Sequence, residues 1–223
     1  MLKTGNSAID FFSQAIVFIP LLPVIIILLR GTHQKDVLTF LLILCLVNCL
    51  GSFLPKIAKA TQSILVATQH LFALVELLIL IQMLKSLLFG NLRKAFNIFL
   101  ISFLSSSITY YLLEGADQNN PGISSFQDAV IILIGILSLV KLIRKNDLYL
   151  FKLPIFWIAV GTVFYFVIAE ILEAAGCCSA QPISTLADKI LLLNIANLIR
   201  YFFYTLAGLS YYPKKTNGRE PAY

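Results

Sequence analysis

Seven long apolar stretches divide this 223-residue chain, and lysine and arginine collect in every second gap between them. Each stretch holds roughly 20 residues, enough for a helix to cross a hydrocarbon core of about 30 Å. Few folds are open to such a chain. Backbone N–H and C=O groups cannot be left unpaired in lipid, so only helices and closed barrels span it. Barrel strands would run near ten residues with alternating polarity, and no stretch alternates in that way. The pattern predicts an all-α polytopic membrane protein with seven transmembrane helices (residues 1–213), followed by a short basic cytoplasmic tail (residues 214–223).

The first stretch, residues 11–29, contains Pro20 and Pro23, each of which removes a backbone donor and predicts a kink. It is too long for a signal-peptide core and has no convincing cleavage site, so a retained helix is expected. The second stretch, 37–54, is expected to stop at Pro55, and the third and fourth cover 64–88 and 95–113. A turn-rich polar loop, residues 117–122, precedes the fifth at 123–143. Pro154 opens the sixth, which reaches 172, and Pro182 precedes the seventh at 186–211.

Orientation follows from where the cations fall. The gaps after stretches one, three, five and seven hold twelve: Arg30, Lys35, Lys85, Arg93, Lys94, Lys141, Arg144, Lys145, Lys152, Lys214, Lys215 and Arg219. The opposite side holds four, Lys3, Lys56, Lys59 and Lys189, and Arg200 lies within a stretch. The N-terminus is therefore expected outside and the C-terminus in the cytoplasm. Losing one helix would break the alternation, so the same pattern supports a count of seven.

Only 13% of residues are charged, against about 25% in soluble domains, and short loops leave no room for a separate soluble domain. The net charge of +6 does not point to nucleic acid, because the cations sit in loops beside the membrane, where anionic lipid and insertion bias explain them. The lipid bilayer is the implied partner. Cys45 and Cys49, one turn apart in an apolar stretch, read as small packed hydrophobes. Cys177 and Cys178 are adjacent in a loop placed outside. Neither pair has zinc or C-x-x-C spacing.

An ionisable group at mid-membrane is costly and faces the protein or a wet cavity. Glu76 and Arg200 are the two clear cases. Both helices run inward, and at 1.5 Å per residue Glu76 lies roughly 18 Å and Arg200 roughly 20 Å below their outer ends. An intramembrane pair between them fits those depths, either as a structural tie or as a ligand-binding or switching pair. Asn194, Asn197, Arg200, Tyr201, Tyr204 and Gly208 fall within about a third of one helix circumference. Gln62, Gln69, Ala73 and Glu76 share a face of the third helix. Ser124, Asp128, Gly135 and Ser138 form a small-and-polar stripe on the fifth. His70 and Asp128 both sit about 9 Å in from the outer end. The candidate site is thus a polar interior of His70, Glu76, Asp128, Asn194, Asn197, Arg200 and Tyr204, either a pocket opening outward or a dry hydrogen-bonded seam.

The serines and threonine from Ser102 to Thr109 read as packing hydroxyls. Glu170 and Glu173 read as a solvated outer rim. Trp157 and the Tyr211–Tyr212 pair read as interfacial belts. Two histidines, His33 and His70, are too few for a histidine-rich metal centre. No H-E-x-x-H, G-x-S-x-G or P-loop occurs. A retinal linkage would need a buried lysine in the last helix, where Arg200 stands instead. No catalytic residue, metal ligand or cofactor is assigned.

Residues 71–76 (Leu-Phe-Ala-Leu-Val-Glu), 124–128 (Ser-Ser-Phe-Gln-Asp), 149–158 leading to Gly161 and Tyr165, and 194–204 together resemble uncharacterised small seven-helix integral membrane proteins of Bacteroidetes. In that group a glutamate tends to stand where Asp128 is, and an arginine like Arg200 is not expected. The resemblance implies a sensory or accessory role near two-component signalling. The reading expected of the sequence is therefore such a module in the bacterial cytoplasmic membrane, passing its signal to a membrane or signalling protein partner. A small-molecule transporter or channel is the first alternative, although no internal repeat is visible. An intramembrane lipid-modifying enzyme using Glu76, His70 or Asp128 is the second.

Overall fold

The computed structural model describes residues 14–31, 36–57, 62–84, 121–144, 149–178 and 185–211, with isolated positions at 11 and between 94 and 109. Side chains at 36, 54–57, 62–70, 121–124, 175–178 and 185–187 fall outside that description.

Among the described residues every regular element is helical. A 3-10 turn, Ile16–Phe18, leads into α1 (Leu21–Leu29), followed by α2 (Asp36–Ile57) and α3 (Gln62–Leu84). Next come α4 (Pro121–Arg144), a 3-10 turn at Leu150–Lys152, α5 (Pro154–Cys178) and α6 (Thr185–Ser210). These elements fall on the first, second, third, fifth, sixth and seventh apolar stretches. Most of the fourth, together with residues 1–10, 111–120 and the tail 214–223, lies outside the described residues.

Proline placement explains several boundaries. Pro121 and Pro154 are the first residues of α4 and α5, where a missing N–H would have had no helical partner. In the first stretch the 3-10 turn gives way to α1 at Ile19–Pro20, through Ile19 N–H to Ile16 C=O (3.1 Å) and Leu22 N–H to Ile19 C=O (3.0 Å). Pro23 belongs to the first turn of α1 and produces no second break. Pro55 does not stop α2, which continues to Ile57. A proline so near the end removes one ladder bond, to the carbonyl of Gly51, and the helix tolerates it.

Ser125–Arg144, Pro154–Ala174 and Asp188–Ser210, of 20, 21 and 23 residues, are long and apolar enough to cross a membrane. At 1.5 Å per residue they measure about 30–35 Å. Ile16–Leu29, Val37–Phe53 and Leu71–Leu84 are shorter apolar helices. Large apolar side chains stand outward at helical spacing, as with Ile43, Leu46 and Leu50 on α2 and Leu192, Ile195 and Phe202 on α6. In water such faces would drive aggregation; against acyl chains they are the matching surface. Among the described residues the chain is all-helical, and three of its helices are long and apolar enough to make it a membrane protein.

The described helices pack in cyclic order, with α2 also touching α5 and α6, and α3 touching α5. α5 packs most extensively on α6 and α4; α2 packs on α3, α1 on α6 and α2, and α3 on α4. Between them lies a core that includes Ile27, Leu38, Leu41, Leu44, Leu77, Leu80, Ile131 and Ile134. The closest crossing of α5 and α6 is set by Gly161. A Cβ there would lie 2.8 Å from Phe203 Cβ and 3.1 Å from the Arg200 carbonyl oxygen. The α4–α5 crossing is as tight: a Cβ on Gly135 would meet Val163 Cγ2 at 2.3 Å.

Candidate functional site

Arg200 lies near the middle of α6 and is only 2% exposed. Its Nη2 donates to Glu76 Oε1 on α3, an ion pair whose side chains are 3% and 15% exposed. Its Nε donates to the Tyr204 hydroxyl one turn along at 2.9 Å, and that hydroxyl is 2.9 Å from Thr162 Oγ1 on α5. Asn48 Nδ2, on α2, approaches the same Glu76 oxygen at 3.4 Å. Four helices therefore supply one connected polar network.

Aromatic rings enclose the guanidinium. Its Cζ is 4.8 Å from the ring centre of Tyr165, 5.2 Å from Tyr204, 5.4 Å from Phe166 and 5.7 Å from Tyr201. These distances permit cation–π attraction, which strengthens where water is excluded. Arginine suits this setting because its planar head stacks on rings while its edge donates. Cys45 is fully buried and lies within electrostatic reach of both Arg200 and Glu76. Cys49 is also buried, and both are free thiols.

α3 and α6 do not pack extensively on each other, although α2 and α5 each touch both of them. The Glu76–Arg200 bridge thus joins two helices that are not packing neighbours. The matched depths of Glu76 and Arg200 along the third and seventh stretches predict this pairing.

The other expected site residues are placed less centrally. Tyr204 is fully buried and inside the network. Asn194 and Asn197 are half-buried on α6, nearly two turns and one turn before Arg200. Asp128 is half-buried on α4, within electrostatic reach of Glu170, Glu76, Glu173 and Arg200. His70 is carried on α3, but its side chain lies outside the described residues. The expectation of a solvated rim fits Glu170 poorly: it is half-buried, and its Oε1 is enclosed with no hydrogen-bond partner among the described residues.

Asn48, Thr162, Tyr165 and Gln127 were not singled out as interior polar groups. Asn48 is the lone amide of its apolar stretch, and the rule that flags Glu76 finds it once extended from ionisable to other polar groups. Gln127, 7% exposed, donates to the Ala73 carbonyl at 2.7 Å and ties α4 to α3. Thr162 carries no such signal, since threonine is common in membrane helices. At one end of the bundle, Arg30 donates to the carbonyls of Gly208 (3.2 Å) and Leu209, capping the last turn of α6 from α1.

The described fold and site define a helical membrane protein with a buried ion pair joining two helices that do not otherwise pack extensively on each other. No protein-family model matches the chain, and no curated protein or solved structure matches it either.

Proposed function

We propose that the chain is a seven-helix sensory or accessory signalling module of a bacterial cytoplasmic membrane, with the Glu76–Arg200 pair as its switch. Its N-terminus lies outside and its C-terminus in the cytoplasm, a reading supported by the twelve-to-four division of cations among the gaps. Kinship with the small seven-helix proteins of Bacteroidetes belongs to the same proposal.

One observation carries it: a buried ion pair joins α3 and α6, which do not otherwise pack extensively on each other. Packed interfaces have few discrete arrangements, so a bond across them divides states sharply. A ligand that takes over either partner releases α3 from α6 in one step. α6 passes such a change to α1 through Arg30 at its last turn, the end expected to meet a signalling partner.

Trp157, the chain's single tryptophan, stacks on Phe203 with ring centres 5.9 Å apart, three residues from Arg200. Its emission therefore reports the α5–α6 seam. In lipid nanodiscs Glu76→Gln is expected to shift that emission, while Glu76→Asp stays nearer the wild type. A folded Glu76→Gln protein with unchanged emission and unchanged helix separation would defeat the switch. Reporter fusions that place both termini in one compartment would defeat the topology.

A further inference from the structure

The 3-10 turn Leu150–Lys152 is held in place by its neighbours in α5. Trp157 Nε1 donates to the Phe151 carbonyl at 2.8 Å. The Phe151 ring lies 5.4 Å from Phe156 and 5.8 Å from Trp157, and Trp157 stacks on Phe203 of α6. The turn is thus clamped to the bundle. Yet Tyr149 and Phe151 remain 60% and 64% exposed. Lys152 is exposed too, and its ammonium rests 4.6 Å from the Tyr149 ring centre.

Two large rings held outward beside a lysine match the chemistry of a membrane–water boundary, where amphipathic aromatics settle at headgroup level. The turn sits at one end of a helix long enough to span, so it meets that boundary. Arg144, exposed at the end of α4, is only six residues from Leu150, which puts it at the same end of the bundle within about 21 Å. No acidic side chain is among the described residues 141–144 and 149–157. Over residues 141–157 the sequence sets Lys141, Arg144, Lys145 and Lys152 against one acid, Asp147, so the formal charge of the segment is +3 and complementary to an anion.

We propose that this turn seats the headgroup of an anionic phospholipid, with Lys152 opposing the phosphate, Arg144 adding to the local field, and Tyr149 and Phe151 lying along the upper acyl chains. Stacking against Tyr149 orients the lysine, and the Trp157 clamp keeps the turn from collapsing onto the bundle. The proposal depends on the membrane placement of α5 and not on the signalling reading.

Native mass spectrometry of the full chain in detergent, offered equal phosphatidylglycerol and phosphatidylcholine, tests it. The wild type is expected to retain phosphatidylglycerol preferentially. Lys152→Gln should weaken that retention about fivefold, the effect of one cation near an anionic surface. Trp157→Phe should weaken it less, and Lys189→Gln, on α6, should leave it unchanged. Retention unaffected by Lys152→Gln, or an equal loss in Lys189→Gln, would overturn the proposal. So would displacement of the lipid by millimolar inorganic phosphate, since that would mark a free-anion site.

Discussion

The Tyr204 hydroxyl stands between Arg200 and Thr162, 2.9 Å from the Nε of one and the Oγ1 of the other. A guanidinium can only donate, so the tyrosine oxygen accepts from Arg200. Toward Thr162 either hydroxyl can be the donor, because the tyrosine oxygen keeps both its proton and a second lone pair. Tyr204→Phe removes the acceptor and leaves a buried, charged N–H without a partner. The expected cost is about 1–3 kcal/mol, read as a lower unfolding temperature in micelles. Thr162→Val should cost less, because only the neutral hydroxyl of Tyr204 loses a partner.

Glu76 and Arg200 are expected to behave non-additively. Removing one partner of a buried pair leaves an uncompensated charge, which typically costs about 3–5 kcal/mol. Arg200→Met should cost less than Glu76→Leu, since a lone carboxylate can be neutralised by a proton while a lone guanidinium cannot. The double variant Glu76→Leu with Arg200→Met should recover much of the loss, leaving the hydrogen bonds of Asn48 and Tyr204 as the remaining deficit. A double-mutant cycle on thermal unfolding measures this. Additive losses would mean that the two charges are not coupled.

That pair was readable in advance because lipid leaves a buried charge few places to go. Two opposite charges at equal depth on two helices are a strong constraint even without knowing which helices touch. The packing order was not readable. An apolar face looks the same whether it meets lipid or another helix, as Ile131 and Leu133 show: two residues apart on α4, one is buried and the other half exposed. Asn48 announced that it faces protein but not that its partner is 28 residues away on the next helix. Pro55 does not end its helix at once: its ring and missing N–H disturb only the preceding turn, at the Gly51 carbonyl, and the backbone stays helical to Ile57.

Gly161 should tolerate little. Alanine there would place a Cβ 2.8 Å from Phe203 Cβ and 3.1 Å from the Arg200 carbonyl, and neither atom is the far end of a flexible side chain. α5 and α6 must separate, at about 1–3 kcal/mol for overpacking of this kind. Since Trp157 stacks on Phe203, Gly161→Ala should also move the tryptophan emission. A stability loss without any spectral change would place the strain elsewhere.

Arg30 tests whether the two ends of α6 are mechanically joined. Its guanidinium satisfies carbonyls of Gly208 and Leu209, which no later turn of the helix can reach, and its charge opposes the partial negative end of the helix dipole. Because the arginine is exposed, Arg30→Gln should lower stability by no more than about 1 kcal/mol. The larger effect is expected in local opening. Hydrogen exchange in residues 205–210 should accelerate while exchange around Arg200 stays protected, since Tyr204, Thr162 and Glu76 hold that level independently. If exchange rises equally at both levels, α6 moves as one rod and Arg30 helps to hold the ion pair closed; if only the last turn loosens, the cap is local and the pair keeps its own register.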